Sequence, residues 1–332
     1  MSSAADSRPK GCVLALVGPT AVGKSEVALW LAERLDGEIV SVDSMQVYRG
    51  LDIGTAKPSK EDRARVRHHL IDIVDLAASF DAARFVQLAN QAIEEILTRG
   101  RVPILCGGTG LYFKALFEGL GETPPANDIL RAELEATALP ELLRELAESD
   151  PEAFDRIDRC NSRRVVRAIE VIRLTGRPYS LQRADWSQPS ATAALCPPVF
   201  GLVRPSADLH QRIDVRVDAM FQAGLVAETE ALLKAGLGKN RTALQALGYR
   251  QVVEYLQGSR SLAETVALVK IRTRQFAKRQ MTWFRRQLPV SWIEITTGQP
   301  IDQTVSRILK ELSARKNPQH QRDYENRDEQ EK

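Results

Sequence analysis

Val13-Leu14-Ala15-Leu16-Val17, then Gly18-Pro19-Thr20-Ala21-Val22-Gly23-Lys24-Ser25, then Glu26-Val27-Ala28-Leu29-Trp30-Leu31: an apolar run, a glycine-bounded loop and an amphipathic run follow one another without a gap. A G-x-x-x-x-G-K-[ST] pattern between a strand and a helix is a phosphate-binding loop. Gly18 and Gly23 admit backbone angles that let successive N–H groups turn inward around a phosphate. The helix opening near Lys24 adds its positive end. Lys24 brings a full charge to the distal phosphates, and Ser25 offers a hydroxyl suited to Mg²⁺. The bland alternative, a turn that merely joins strand to helix, explains neither the lysine nor the spacing.

Outward from the loop, the first helix runs from about Ser25 to Leu35 and stops at Asp36-Gly37. Glu38-Ile39-Val40-Ser41-Val42-Asp43 reads as a second strand, His69 to Val74 as a third and Val102 to Cys106 as a fourth, with helical periodicity from Asp81 to Arg99. Strand-helix alternation predicts a three-layer α/β phosphate-loop core with a parallel sheet. From about Ala115 to Pro197 only helical patterns occur: Ile129 to Ala138, Pro140 to Glu148 and Asn161 to Leu174. Pro197 to Val203 reads as a strand rejoining the sheet, helices follow from Asp208 to Ala235 and from Ser261 to Gln287, and Ser291 to Ile295 is a last strand. The expected organisation is a core in two parts, 11–114 and 198–312, a mostly helical insertion at 115–197, and a disordered polar tail at 313–332.

The 332 residues carry 43% hydrophobic and 27% charged side chains with a net charge of +3, ordinary for a globular protein and too balanced to argue for a polyanion from the total alone. Cys12, Cys106, Cys160 and Cys196 are scattered, which suggests neither a zinc site nor a disulfide framework. No signal-like or membrane-spanning run is present, so a cytoplasmic, monomeric protein without a membrane partner is expected.

Asp43 falls at the end of its strand, where ligands gather in open parallel sheets. It reads as a Mg²⁺-holding acid, as a general base, or as a cap on the following turn. Ser44, Gln46 and Tyr48 follow on the crevice side, and Gln46 is of the type that reads an adenine edge. Gly107-Gly108-Thr109 opens onto the same crevice. Arg156 to Arg183 holds eight arginines against two carboxylates, and Lys270 to Gln287 holds seven basic residues and no acid. The one-signed helix over Lys270 to Gln287 suits a polyanion, although ordinary surface charge is the plain alternative. Arg272, Arg279 and Arg286 recur on one helical face, with Phe276, Trp283 and Phe284 between them. His68-His69 lacks a third ligand at metal spacing and reads as structural.

Seven ordered motifs between Val13 and Ile295 resemble those of the bacterial tRNA dimethylallyltransferases. They are Gly18 to Ser25, Asp43-Ser-Met-Gln-Val-Tyr48, Asp52-Ile-Gly-Thr-Ala-Lys-Pro58, His68-His-Leu-Ile-Asp72, Gly107-Gly-Thr-Gly-Leu-Tyr112, Gly248-Tyr-Arg250 and Arg274 to Trp283. One departure is Phe80-Asp81, where the family often has Tyr-Ser. The resemblance implies transfer of a dimethylallyl group from dimethylallyl diphosphate to N6 of adenosine 37 in the tRNA anticodon arm. It also implies that the loop, including Thr20 to Ser25, holds the diphosphate with Mg²⁺ near Ser25. Asp43 then matches the general base and Thr109 a reaction-site residue, with Lys24 acting on the leaving group. Arg131, Asp43-Ser44-Met45-Gln46, Arg163-Arg164-Val165-Val166-Arg167 and Gln245-Ala246-Leu247-Gly248-Tyr249-Arg250 match tRNA-contacting segments. A prenyltransferase acting on free adenine nucleotides, an ATP-binding small-molecule kinase and a non-catalytic RNA-binding module are the competing expectations.

Overall fold

The structure is a computed structural model, described over residues 13–121, 123–182 and 197–315. In chain order the elements begin with β1 Leu14–Val17, α1 Lys24–Leu35, β2 Gly37–Val42, α2 Lys60–Arg65, β3 His68–His69, α3 Ala82–Thr98, β4 Val102–Gly107 and α4 Gly110–Glu118. Four helices follow: α5 Asp128–Ala136, α6 Leu139–Ser149, α7 Pro151–Arg156 and α8 Ser162–Thr175. Then come β5 Val199–Val203, α9 Ser206–Gln222, α10 Leu225–Lys234, α11 Tyr249–Leu256, α12 Leu262–Gln287, β6 Ser291–Glu294 and α13 Ile301–Arg315. Two compact units result, Ala115–Ala194 and the chain on either side of it. No described helix is long and apolar enough to cross a membrane.

The larger unit is built on one six-stranded sheet in the order β3-β2-β4-β1-β5-β6, and every neighbouring pair is parallel. β1 and β2 are buried along their whole length; for β1 this explains an unbroken apolar run, because a parallel sheet covered on both faces has no wet side to alternate with, whereas β2 also buries Glu38 and Ser41. Because all strands run the same way, the loops after β1, β2, β4 and β5 leave from one edge. α1 buries Val27, Ala28, Leu31 and Ala32 and ends on Asp36 in the left-handed region, φ 50°. α3 buries Phe85, Ala89, Ala92, Ile93 and Ile96, and Asp81 caps it by accepting the Arg84 N–H at 2.9 Å.

Two expectations need correction. The strand expected over 69–74 shrinks to His68–His69, because Leu70 (φ 61°) and Asp72 (φ 56°) leave extended geometry. The Asp72, Ile73 and Val74 N–H groups turn to the Gln46 and Val47 carbonyls instead. The helices expected over 208–235 are α9 and α10, parted at Gly224 with φ 98°. Residues 313–315 are not tail but the last turn of α13; residues 316–332, with Cys12, Cys196 and Arg183, lie outside the described residues.

The smaller unit has its own core, in which Leu134, Leu142, Leu146 and Ala153 pack with Val165, Val166, Ala168 and Ile169 of α8. Its described residues form no strand.

Candidate active site

The loop after β1 is shaped by what a side chain at Gly18 would meet. That residue has φ 147°, and a Cβ would stand 2.8 Å from the Leu202 carbonyl oxygen. The chain then enters α1 through Gly23, whose lack of a capping side chain leaves the first helical N–H groups turned to the loop. Lys24 folds back over this loop, its Nζ donating to the Gly18 and Pro19 carbonyls at 2.9 and 2.7 Å. Burial lowers its pKa to about 8; nearby Arg216 pushes the same way, while Cys106 and Asp43 oppose it. The same burial raises the Cys106 thiol to about 11, so this cysteine is a neutral wall and not a nucleophile.

A cleft of about 810 Å³ opens in front of the loop, lined by Thr20, Lys24, Ser25, Asp43, Gln46 and Gly108 among others. Asp43, at the carboxyl end of β2, accepts the Met45 and Gln46 N–H groups on Oδ1 at 2.8 and 3.2 Å. Its Oδ2 accepts no hydrogen bond among the described residues, so one oxygen shapes the turn while the other is open to a ligand. Thr109 stands beside this turn, and its Oγ1 accepts the Ser44 N–H at 3.1 Å. The hydroxyl thereby fixes the segment after Asp43. Gln46 is less free than an adenine reader: its Oε1 accepts from Ser41 Oγ at 2.8 Å and its Nε2 donates to the Thr55 carbonyl at 3.1 Å.

Ser25 is exposed in the cleft. Among the described residues no group of three His, Cys, Asp or Glu side chains is arranged to hold a metal. One hydroxyl beside a phosphate loop fits a hydrated Mg²⁺ carried mainly by a ligand's phosphates and does not fit a protein-caged ion.

Four cleft residues escaped sequence reading. Arg204 donates from Nε to the Val22 carbonyl and pairs with Asp208, both at 2.9 Å; Arg212 donates to the Ala21 carbonyl at 2.9 Å. Arg216, one turn further along α9, is held below the usual arginine range by burial, partly relieved by the charge of Asp43. Gln280 of α12 accepts the Thr20 N–H at 2.8 Å and donates to the Gly108 carbonyl at 2.9 Å, bridging the two loops. The available signal was the i, i+4 pair Arg212 and Arg216, set off from the buried Ile213 and Val217.

The expected RNA-contacting segments divide by exposure. In the smaller unit Arg163 and Arg164 are exposed, with no ion pair among the described residues. Arg131 and Arg167 instead grip the fully buried Glu170, at 2.5 and 2.7 Å. Val165 and Val166 are core, which corrects their assignment to a contact surface. In the larger unit Gln245, Leu247 and Arg250 reach the surface, whereas Ala246, Gly248 and Tyr249 are buried and cannot present side chains to a partner. On α12, Lys270 and Arg274 are committed to Asp218 and Asp214 of α9. Arg272, Lys278, Arg279, Arg285 and Arg286 remain exposed.

Comparison with known proteins settles the kinship. The family model described as IPP transferase matches residues 46–287. The chain belongs to the IPP transferase family. A relative from Halorhodospira halophila named tRNA dimethylallyltransferase is 51% identical over 282 residues, covering 83% of this chain and 90% of its own. The solved tRNA isopentenylpyrophosphate transferase of Bacillus halodurans is 40% identical with a TM-score of 0.67, over 91% of this chain and 96% of that one. A eukaryotic dimethylallyltransferase acting on tRNA superposes with a TM-score of 0.71 at 27% identity, over 86% of this chain and 74% of that one. In this IPP transferase the phosphate loop and Asp43 precede the matched stretch, while Gln46, the Gly107-Gly108-Thr109 loop, α9 and Gln280 lie inside it.

Proposed function

We propose that this IPP transferase moves a dimethylallyl group from dimethylallyl diphosphate onto N6 of adenosine 37 in tRNA, releasing diphosphate. The observation that carries this reading is the composition of the cleft: Lys24, Arg204, Arg212 and Arg216 share it with the one-sided carboxylate of Asp43. That arrangement pairs an anion cradle with a proton acceptor.

An exocyclic adenine amine is a weak nucleophile, because its lone pair is delocalised into the ring. As the N6–carbon bond forms and the allylic carbon–oxygen bond breaks, the N6 proton passes to Asp43. The diphosphate leaves with the electron pair of that bond. Lys24, the loop amides and the α1 N-terminus stabilise the charge gathering on it. A Mg²⁺ ion bound by the diphosphate and Ser25 would neutralise part of that charge. The adenine must leave its stack to reach the cleft, and exposed Arg163, Arg164, Arg250 and the α12 arginines supply the phosphate contacts that hold the RNA.

The test is incubation with radiolabelled dimethylallyl diphosphate and, separately, tRNA, AMP or no acceptor. Label should enter tRNA alone. Asp43→Ala should lower the rate by about 10²–10⁴-fold while tRNA binding persists in a filter assay. Comparable transfer to AMP would reverse the choice of acceptor, and transfer of the γ-phosphate of ATP would replace the reaction.

A further inference from the structure

One wall of the cleft is made by Thr55 and Ala56, in a loop with no regular structure of its own, and Ala56 sits in the left-handed region at φ 47°. Such a loop needs outside support to hold one shape. Its far end is anchored by Lys57, whose side chain is only 3% exposed. Lys57 Nζ donates to the Tyr48 carbonyl and to Asp52 at 2.6 Å, and to Asp72 at 2.5 Å. Arg63 completes that clamp on the other oxygen of Asp72 at 2.8 Å.

The near end is held from elsewhere in the chain. Glu228 of α10 accepts the Ile53 N–H on both oxygens, at 3.1 and 3.2 Å. Tyr249, the first residue of α11, accepts the Gly54 N–H at 3.0 Å and donates its hydroxyl to Glu228 at 2.5 Å. Tyr249 is fully buried, and its ring lies so close that a Cβ on Gly54 would stand 2.4 Å from it. From the loop the connections continue inward. The Thr55 and Ala56 carbonyls receive Gln46 Nε2 at 3.1 and 3.4 Å. The Gln46 N–H in turn binds Asp43 Oδ1 at 3.2 Å.

We infer that Tyr249 and Glu228 are positioning residues for the transfer: together they fix the 53–56 wall, and through it the placement of Gln46 and Asp43 against the acceptor base. The inference rests on the reading of Asp43 as proton acceptor. It gives a function to a residue that burial excludes from touching RNA, although its half-buried neighbour Gln245 and exposed neighbour Arg250 both reach the surface. The diphosphate cradle is built from other elements, namely the loop after β1, α9 and Gln280. Disturbing the wall should therefore harm turnover with tRNA and spare donor binding.

The experiment uses the full chain, with Tyr249→Phe, Glu228→Ala and Glu228→Gln. Phenylalanine keeps the ring against Gly54 and removes only the hydroxyl. Glutamine can still accept the Ile53 N–H and the tyrosine hydroxyl through its amide oxygen, so it is the conservative rescue. Tyr249→Phe and Glu228→Ala should lower kcat with tRNA by about tenfold or more, the scale of one lost hydrogen bond to a charged group. KM for dimethylallyl diphosphate should stay within about twofold, and Glu228→Gln should recover most of the loss. Amide hydrogen exchange over residues 50–58, read by mass spectrometry without any substrate, should quicken in the two damaging variants and stay slow in the rescue. Unchanged kcat, or a donor KM that rises in step with the loss of kcat, overturns the positioning role. So does exchange that quickens across the whole chain instead of over this peptide. Because exchange needs no turnover, a wild-type protein that fails to prenylate tRNA refutes the reaction, whereas slow exchange in Tyr249→Phe refutes the wall.

Discussion

Lys24 keeps its ammonium where burial opposes it, with a pKa lowered to about 8. In the free protein it makes do with two carbonyl partners, Gly18 and Pro19. A diphosphate binds the charged form, so affinity is full below about pH 8 and declines as pH rises through that value, approaching about tenfold per unit. Calorimetric titration of the donor between pH 7 and pH 9.5 should show that decline together with proton uptake, and Lys24→Arg should flatten it. The stability of the ligand-free protein follows the opposite course. Its native state releases this proton at about 8 and the unfolded chain only near 10.5, so stability contributed by Lys24 rises between those values. At this scale the loop and Asp43 were legible because their meaning is local: glycine spacing next to a strand, an acid at a strand's end. Arg216 and Gln280 were not, since an arginine or glutamine on a long helix declares nothing until the fold shows which face it turns to the cleft.

Among the elements, α8 shows how a basic helix can be structural on one side and available on the other. Its Glu170 is completely buried and accepts from the Asn127 N–H at 2.9 Å as well as from Arg131 and Arg167. Burial pushes this carboxyl upward, but the hydrogen bonds from Arg167 and Arg131 outweigh it and hold it below its usual range. Glu170→Gln keeps the backbone bond and abolishes both charge pairs, which should cost about 1–3 kcal/mol in denaturant unfolding. A depressed carboxyl contributes fully above its unfolded value of 4.5 and loses that contribution as pH falls through the lower folded value. The gap between wild type and variant should therefore narrow on acidification. Arginine composition alone suggested a polyanion surface for the whole segment; only tertiary burial separates Arg131 and Arg167 from Arg163 and Arg164. Likewise the β-branched run after His69 looked extended, and it was the turn at Leu70 and Asp72, made to serve Lys57 and Gln46, that overrode local propensity.

At the level of the molecule, alternation of strands and helices made a parallel sheet readable, but not the order β3-β2-β4-β1-β5-β6, which depends on contacts remote in sequence. That order places the phosphate-loop strand between β4 and β5 and brings α9, unremarkable as a sequence, against the cleft. The exposed arginines predict RNA binding that weakens steeply with salt. Arg163→Ala with Arg164→Ala should reduce the log–log slope by about 1–2, with little dependence on which tRNA is offered. α12 adds a finer consequence. Arg272, Arg279 and Arg286 stand two turns apart, about 10.5 Å along a straight helix, whereas charges at physiological salt are screened beyond about 8 Å. Each guanidinium is thus nearly blind to the others: the rod tolerates three like charges without straining, and a polyanion meets three separate grips. Free-energy losses from the single alanine changes should then sum to that of the triple variant.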